Sequence, residues 1–385
     1  MAHQGSVMTR LVVGSQDQIL VLNFDGVEFA VTGGCIVSNF KPSRMLFRED
    51  NILHIVNTKA DIIDTFTLGT DFSDDNNAIR LAATRRGISL PKLFLDKPTF
   101  MYSIRSSVGG TGIAFNADKT RLVEPCLEEG TIDVWDTSAA DGHLRYLKSL
   151  GVANARVASS DAAGPHRAIL DPTGRFFVFP NFARGRLIVM DANECEITNA
   201  IDISAGRGLN HPAFLTSDGV HYLVMLDTIT NAIVLFELEY VGNTIRIARF
   251  VQQRDAHDGS PLFDRPGAIT GGIEVAKNQR DIYISIRDYI VQFAFRKEGG
   301  VARLDYIGKT STGLKPRLFA LSTDTGQRFV FVIQQWLNID NVDAESGLIA
   351  LRRDPETGML DSTPVAKMPN EEFCADHGLC SIVEI

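Results

Sequence analysis

Two histidines occupy matching positions in two similar segments, His166 in PHRAILDPTG and His211 in NHPAFLTSDG. Histidine changes charge near neutral pH, so either ring can take or give a proton during a reaction. Asp227 closes the strand that follows the second segment, where a carboxylate would orient a histidine or raise its basicity. These three form the candidate catalytic set. Arg287 and Arg317 hold related positions in the next two segments, TGGIEVAKNQRDIYISIRDY and PRLFALSTDTGQRFVFVIQQ. Arginine fixes a carboxylate or phosphate through paired hydrogen bonds. Asn181 and Gln334 supply neutral polar groups at equivalent strand ends, and Glu274 lies deeper along its own strand. With the two arginines they form the candidate substrate-binding set. Proton transfer beside a bound anion is the chemistry this set permits, and it suits the opening or closing of a lactone. The same groups would also satisfy one another and buried water in a polar channel of any function.

Other signals fade on inspection. No HExxH and no paired CxxC occurs, so no metal is expected. The Gly-Gly pairs at 109–110 and 271–272 lack the Lys-Ser/Thr of a phosphate loop, and no G-x-S-x-G elbow is present, so no cofactor is expected either. The acidic group Asp71, Asp74 and Asp75 lacks the alternating spacing of a calcium loop. Asp354 to Gly358, DPETG, reads as a hairpin turn. His54, His143 and His221 fall in or beside strands and read as core or surface residues. Of the 5 cysteines, Cys374 and Cys380 are the two placed to pair in an oxidising compartment.

The elements that must position these residues are strands. Segments beginning at Pro165, Asn210, Thr270 and Pro316 each carry an apolar run, a tight turn and two further apolar runs. Their starts lie about 45–60 residues apart, the spacing of four-stranded blades set around an axis. Earlier in the chain, 9–34 gives three short strands without a first partner, and the final LCSIVEI gives a strand without neighbours. The economical reading is that residues 379–385 complete blade 1 and close the ring, which removes exposed sheet edges. SRMLFRED, ILHIVNT and DIIDTFTL make blade 2, residues about 70–110 form an irregular insertion with weak strands that include FLDKPTFMYSI, and GTGIAF to KSLG makes blade 3. The expected fold is all-β, a seven-bladed β-propeller in one domain over 1–385. Residues one after each repeat start, Ser43, Thr111, His166, His211, Gly271 and Arg317, then share one rim. A second set at the ends of the second strands is Asn57, Cys126, Asn181, Asp227, Arg287 and Gln334. The loops Gly151 to Gly164 and Gln252 to Ala268 overhang that rim and bring Arg156, Asp161, Arg254, His257 and Arg265.

Composition bounds the partners. The 385 residues are 44% apolar and 22% charged, with net charge −9, which argues against nucleic acid because phosphate neutralisation needs a basic face. No apolar window approaches the about 18 residues of a membrane span, and the start MAHQGSVMTR carries no leader pattern. A small-molecule substrate and a cytoplasmic monomer or weak homodimer are expected, with secretion open only if a signal peptide has been removed.

GPHRAILDPTGRFFVFPN resembles the PH-x(4)-DPTG signature of the lactonase-type seven-bladed propellers, the family of 6-phosphogluconolactonase and the fungal 3-carboxy-cis,cis-muconate cyclase. KPRLFALSTDTGQRFVFVIQQ and ALRRDPETGML are similar to later repeats of that family, and LCSIVEI to its closing strand. The resemblance implies a cofactor-independent cyclase, isomerase or lactonase, of muconate cycloisomerase type, with His166 in acid-base chemistry. Asp227 falls where the cyclase branch has a glutamate, Arg287 where it has a substrate-binding arginine, and His211 near another arginine. Gly272 stands about where the phosphogluconolactonase branch has a glutamate. These departures imply a different and less highly charged substrate. A natural-product cyclase or pericyclase of fungal secondary metabolism, whose polar rim only polarises a carbonyl, and a non-catalytic scaffold binding a protein partner are the alternatives.

Overall fold

In the computed structural model every regular element among the described residues is a β-strand. The structure describes all residues except 1–7, 16–17, 70–96, 153–163, 182–183, 204–207, 258–268, 314, 336–346 and 370–378. The strands form seven four-stranded sheets, as the seven-bladed propeller reading requires. Blade 1 contains β1 (Thr9–Ser15), β2 (Gln18–Phe24), β3 (Phe29–Ile36) and β28 (Leu379–Glu384), in the spatial order β28-β1-β2-β3. Strand β28 runs antiparallel to β1, pairing Ile382 with Val13, Val383 with Val12 and Glu384 with Leu11. The last strand of the chain therefore supplies the first strand of the first blade.

The weak strand expected within FLDKPTFMYSI forms, while two loop bounds need correction. Lys97–Arg105 is strand β7, the fourth of blade 2 beside β4 (Pro42–Arg48), β5 (Ile52–Asn57) and β6 (Ile62–Gly69), so the irregular insertion does not reach residue 110. Phe100 on β7 meets Phe66 on β6 edge to face, at 5.6 Å between ring centroids. Likewise Gln252 to Asp255 ends strand β19 (Ile245–Asp255) rather than opening a loop. Both are outer strands, half exposed and rich in polar residues, so their apolar pattern is the weakest in each blade.

The described chain forms two compact units. One comprises Met1–Ser103, Asp288–Ile290 and Thr310–Ile385, and the other Ile104–Arg287 and Val291–Lys309. Within each, alternate side chains of a strand serve different neighbours, because both faces of an inner strand are covered. In the first unit Leu11 and Val13 pack with Phe329, Phe331 and Ile333. Val12, between them, packs with Leu53, Ile55 and Phe66. In the second unit Phe176 and Val178 join Leu223 and Met225, whereas Phe177 and Phe179 join Val123 and Val134. Continuous apolar runs such as FFVF are the consequence.

Turn chemistry fixes the hairpins. Asp171 of the DPTG turn accepts the Phe176 N–H on Oδ1 at 2.7 Å and the Thr173 N–H and hydroxyl on Oδ2 at 2.9 and 2.6 Å. Gly174 then takes φ +72°, where a side chain would be strained. Tyr240 donates its hydroxyl to the same Oδ2 at 2.8 Å, and burial, followed by this bond, raises the phenol pKa well above its usual value. Asp354 caps the DPETG turn in the same way, accepting from the Glu356 N–H and the Thr357 hydroxyl.

His54 links the core to pH. It is fully buried on β5, with Nδ1 3.0 Å from the Thr65 hydroxyl. Burial first, and the Arg48 charge second, lower its pKa to about 4. Because the unfolded chain has the ordinary value, the unfolded state binds the extra proton first as pH falls. Stability is thus complete above pH ~6.5 and declines until the pH passes ~4, by about 3 kcal/mol for this group. Urea midpoints measured from pH 7.5 to 4 should fall accordingly, and His54→Gln should flatten the slope. An unchanged slope would remove His54 as the cause.

Candidate active site

The first strand of most blades breaks its register near one end. The irregularities fall between Pro42 and Arg44, Asn210 and Ala213, Ile269 and Ile273, and Pro316 and Leu318. Ser43, His211, Gly271 and Arg317 lie inside these bulges, so four of the six rim residues chosen from sequence share a backbone feature. His211 takes φ +48° as a result, a conformation that few side chains adopt.

In the second unit the segments that enter the first strands of neighbouring blades touch one another. Thr111 donates its hydroxyl to the His166 carbonyl at 2.6 Å, and the His166 N–H bonds to the Pro180 carbonyl at 3.1 Å. The rings of His166 and His211 stand edge to face with centroids 6.2 Å apart. Asn210, 7% exposed, bridges them. Its Oδ1 accepts the His211 N–H at 2.8 Å, which turns Nδ2 toward His166 Nδ1 at 3.5 Å. An amide N–H only donates, so His166 Nδ1 accepts and its proton sits on Nε2. Arg167 donates from Nη1 to His211 Nδ1 at 3.3 Å, which assigns that ring the same tautomer. Burial, and then the Arg167 charge, lower the His166 pKa to about 4, so the ring is neutral at pH 7. Both rings therefore carry their proton on Nε2.

Other residues chosen from sequence take different places. Asp227, buried at the end of β17 (Val220–Asp227), accepts the Ile229 and Thr230 N–H groups on Oδ1 at 2.9 and 3.2 Å. It caps the turn, and Asn210 and Arg167 orient the histidines instead. Asn181 is buried at the end of β13 (Phe176–Asn181), and Glu274 is half-buried on β20 (Ile269–Val275) opposite Tyr283. Arg287 has φ +49° and a buried Nε without a hydrogen-bond partner among the described residues. In the first unit, Arg317 lies on β24 (Lys315–Leu321), and Gln334 is buried and donates its amide to the Thr312 carbonyl. Arg167 and Asn210 were not among the sequence candidates. Their only signal was adjacency to His166 and His211.

Three further places hold polar or charged groups. Arg156, Asp161 and Arg265 lie outside the described residues, as do Asp71, Asp74, Asp75 and Cys374, while Arg254 donates to the Leu304 carbonyl at 2.8 Å and lies over the Phe293 ring. Glu124, Cys126 and Asp133 bring potential metal ligands within 4.8 Å of one another. Both Asp133 oxygens are engaged by the Ser107 N–H and hydroxyl, and burial followed by the Glu124 charge keeps Cys126 a thiol. A groove of about 680 Å³ in the first unit is lined by Cys35, Asn57, Asp64, Phe66, Phe100 and Ser103, among others. Its Asp64 carboxylate accepts from Ser103 at 2.5 Å and Asn57 at 2.9 Å. Volume favours this groove, but its acid is committed to structure, and the reactive groups gather at the histidine pair.

Seven four-stranded sheets and a first blade completed by β28 define a seven-bladed β-propeller, with paired imidazoles on adjoining blades of the second unit. Residues 105–374 match the family model described as lactonase, 7-bladed β-propeller, and the chain belongs to that family. It is similar to the 6-phosphogluconolactonase of Blochmanniella floridana, 25% identical over 224 residues that make up 55% of this chain. The matched segment spans 60% of that relative's length. Among solved structures, a proposed 6-phosphogluconolactonase of Bacteroides fragilis superposes with TM-score 0.72 at 16% identity, over 100% of both chains. The periplasmic gluconolactonase of Pseudomonas aeruginosa gives 0.71 at 18% identity, over 98% of this chain and 99% of that one. At such identities the two structures speak for the fold alone.

Proposed function

We infer that the protein is a lactonase-like enzyme that acts on a small oxygenated acid or lactone through the carbonyl-polarising pair His166 and His211. The observation that carries this reading is the Asn210 bridge, whose amide holds one histidine by its backbone and the other by its ring. Two neutral N–H donors stabilise the oxyanion that forms when water adds to an acyl carbon, and a histidine of lowered pKa serves this role without being charged. The acyl–oxygen bond then breaks, the ring oxygen takes a proton, and a hydroxy acid results. Cyclisation of an unsaturated acid, in the manner of a muconate cyclase, would use the same polarised carbonyl.

The test is acid release from a panel of γ- and δ-lactones, followed by pH-stat. Hydrolysis above the uncatalysed rate is expected, and kcat/KM should hold on the acid side until the pH nears ~4, where His166 becomes charged. An acid limb centred near pH ~6.5 would instead identify a histidine of ordinary pKa as the working group. No turnover on any member of the panel would overturn the lactonase reading.

A further inference from the structure

The groove in the first unit opens between the outer strand of blade 1 and the outer pair of blade 2. Ile62, Asp64 and Phe66 alternate along β6 and so share one face, and that face lines the groove. Gly34 on β3 lines it as well and brings no side chain, which leaves room at that wall. At about 680 Å³ the space is of the size that takes a small molecule. Among the described residues that line it, Asp64 is the only charged one. Its side chain belongs to a residue 3% exposed, and the donors on its two oxygens, the Ser103 hydroxyl and the Asn57 amide, are both neutral. These bonds hold the carboxylate in place without balancing its charge, and a buried charge that meets no opposite charge costs free energy. Each oxygen keeps a second lone pair for a further donor. The rest of the lining is neutral and largely apolar, with Phe66 buried and Phe100, edge to face with it, 54% exposed.

We propose that this groove binds a small organic ammonium ion, with its N–H groups on the Asp64 carboxylate and its apolar body against Ile62, Phe66 and Phe100. A charge-assisted N–H···O bond is shorter and stronger than a neutral one, and partial exclusion of water strengthens it further. Aromatic faces also attract a cation, so the acid and the ring pair select the same chemistry. An anion would meet the carboxylate with no positive charge in the lining to offset it. The site shares no residue with the histidine pair, so lactone turnover does not bear on it.

The experiment is calorimetric titration of the intact chain at neutral pH with 2-phenylethylamine, 2-phenylethanol and phenylacetate, which keep the ring and change the charge. The amine should bind roughly 10- to 100-fold more tightly than the alcohol, the difference made by one charge-assisted hydrogen bond, and the acid should bind least. Asp64→Asn keeps the size of the side chain and should bring the amine down to the alcohol. Phe100→Ala removes a ring that lies mostly outside the core and should weaken amine and alcohol alike, by roughly fivefold. A wild type that binds amine and alcohol equally, or binds no amine, overturns the proposal. Amine affinity unchanged in Asp64→Asn does the same. If that variant does not fold, Phe100→Ala decides, because amine affinity equal to wild type rules out this groove, whereas weaker binding with the preference for amine kept upholds it.

Discussion

Deletion of residues 379–385 should abolish the cooperative native state. The missing strand β28 leaves Leu11, Val12 and Val13, each fully buried, with one edge of β1 unpaired. About four ladder hydrogen bonds and the partial burial of Ile382, Val383 and Ile385 are lost, together about 6 kcal/mol. That is comparable with the entire stability of an ordinary domain. Near-UV circular dichroism and solubility of the truncated chain are the measurements. A second variant, Ile382→Asp, keeps the strand but puts a charge against the cluster of Phe24, Phe331 and Leu348, and should lower the melting temperature clearly. A truncated chain that melts like the wild type would show that β28 is dispensable.

The largest expected effect on activity comes from His166. His166→Ala should reduce kcat by about 10²–10³-fold, the usual loss of one oxyanion donor, with little change in melting temperature. His166→Gln supplies an amide N–H near the place of Nε2 and should recover part of that loss, because donation rather than proton abstraction is the proposed task. If glutamine is as inactive as alanine while both variants fold, the ring works by acid-base transfer and the tautomer argument fails. The Asn210 bridge gives a companion measurement. Asn210→Leu removes the donor to His166 Nδ1, so the ring's ¹⁵N shifts should move toward a tautomeric mixture.

Much of the fold was legible because its signals are local and repeated. DPTG turns, apolar runs of strand length and an unpartnered LCSIVEI led to seven blades and to β28 on β1. The pairing of His166 with His211 was legible for the same reason, since equal offsets in successive repeats bring side chains to one rim. Strand β7 was legible only as a weak strand within FLDKPTFMYSI, because its outer position leaves Phe100 and Met101 beside polar residues, without a clean alternation. Arg167 was missed because period-two reasoning sends it away from its neighbour's face, whereas residues 165–168 are not strand at all. Asp227 was given a chemical partner when its nearest donors were the N–H groups of its own turn, a competition that short acids commonly resolve this way.

The bulges at Ser43, His211, Gly271 and Arg317 carry a consequence for how such a protein can diverge. A bulged residue is left out of the regular ladder, so replacing it costs the sheet little. Each of these four blades thus offers a position where mutation can alter the reaction while the blade continues to fold. Selection can test new combinations of rim residues one blade at a time, and relatives with the same architecture are expected to differ most in chemistry at these few places.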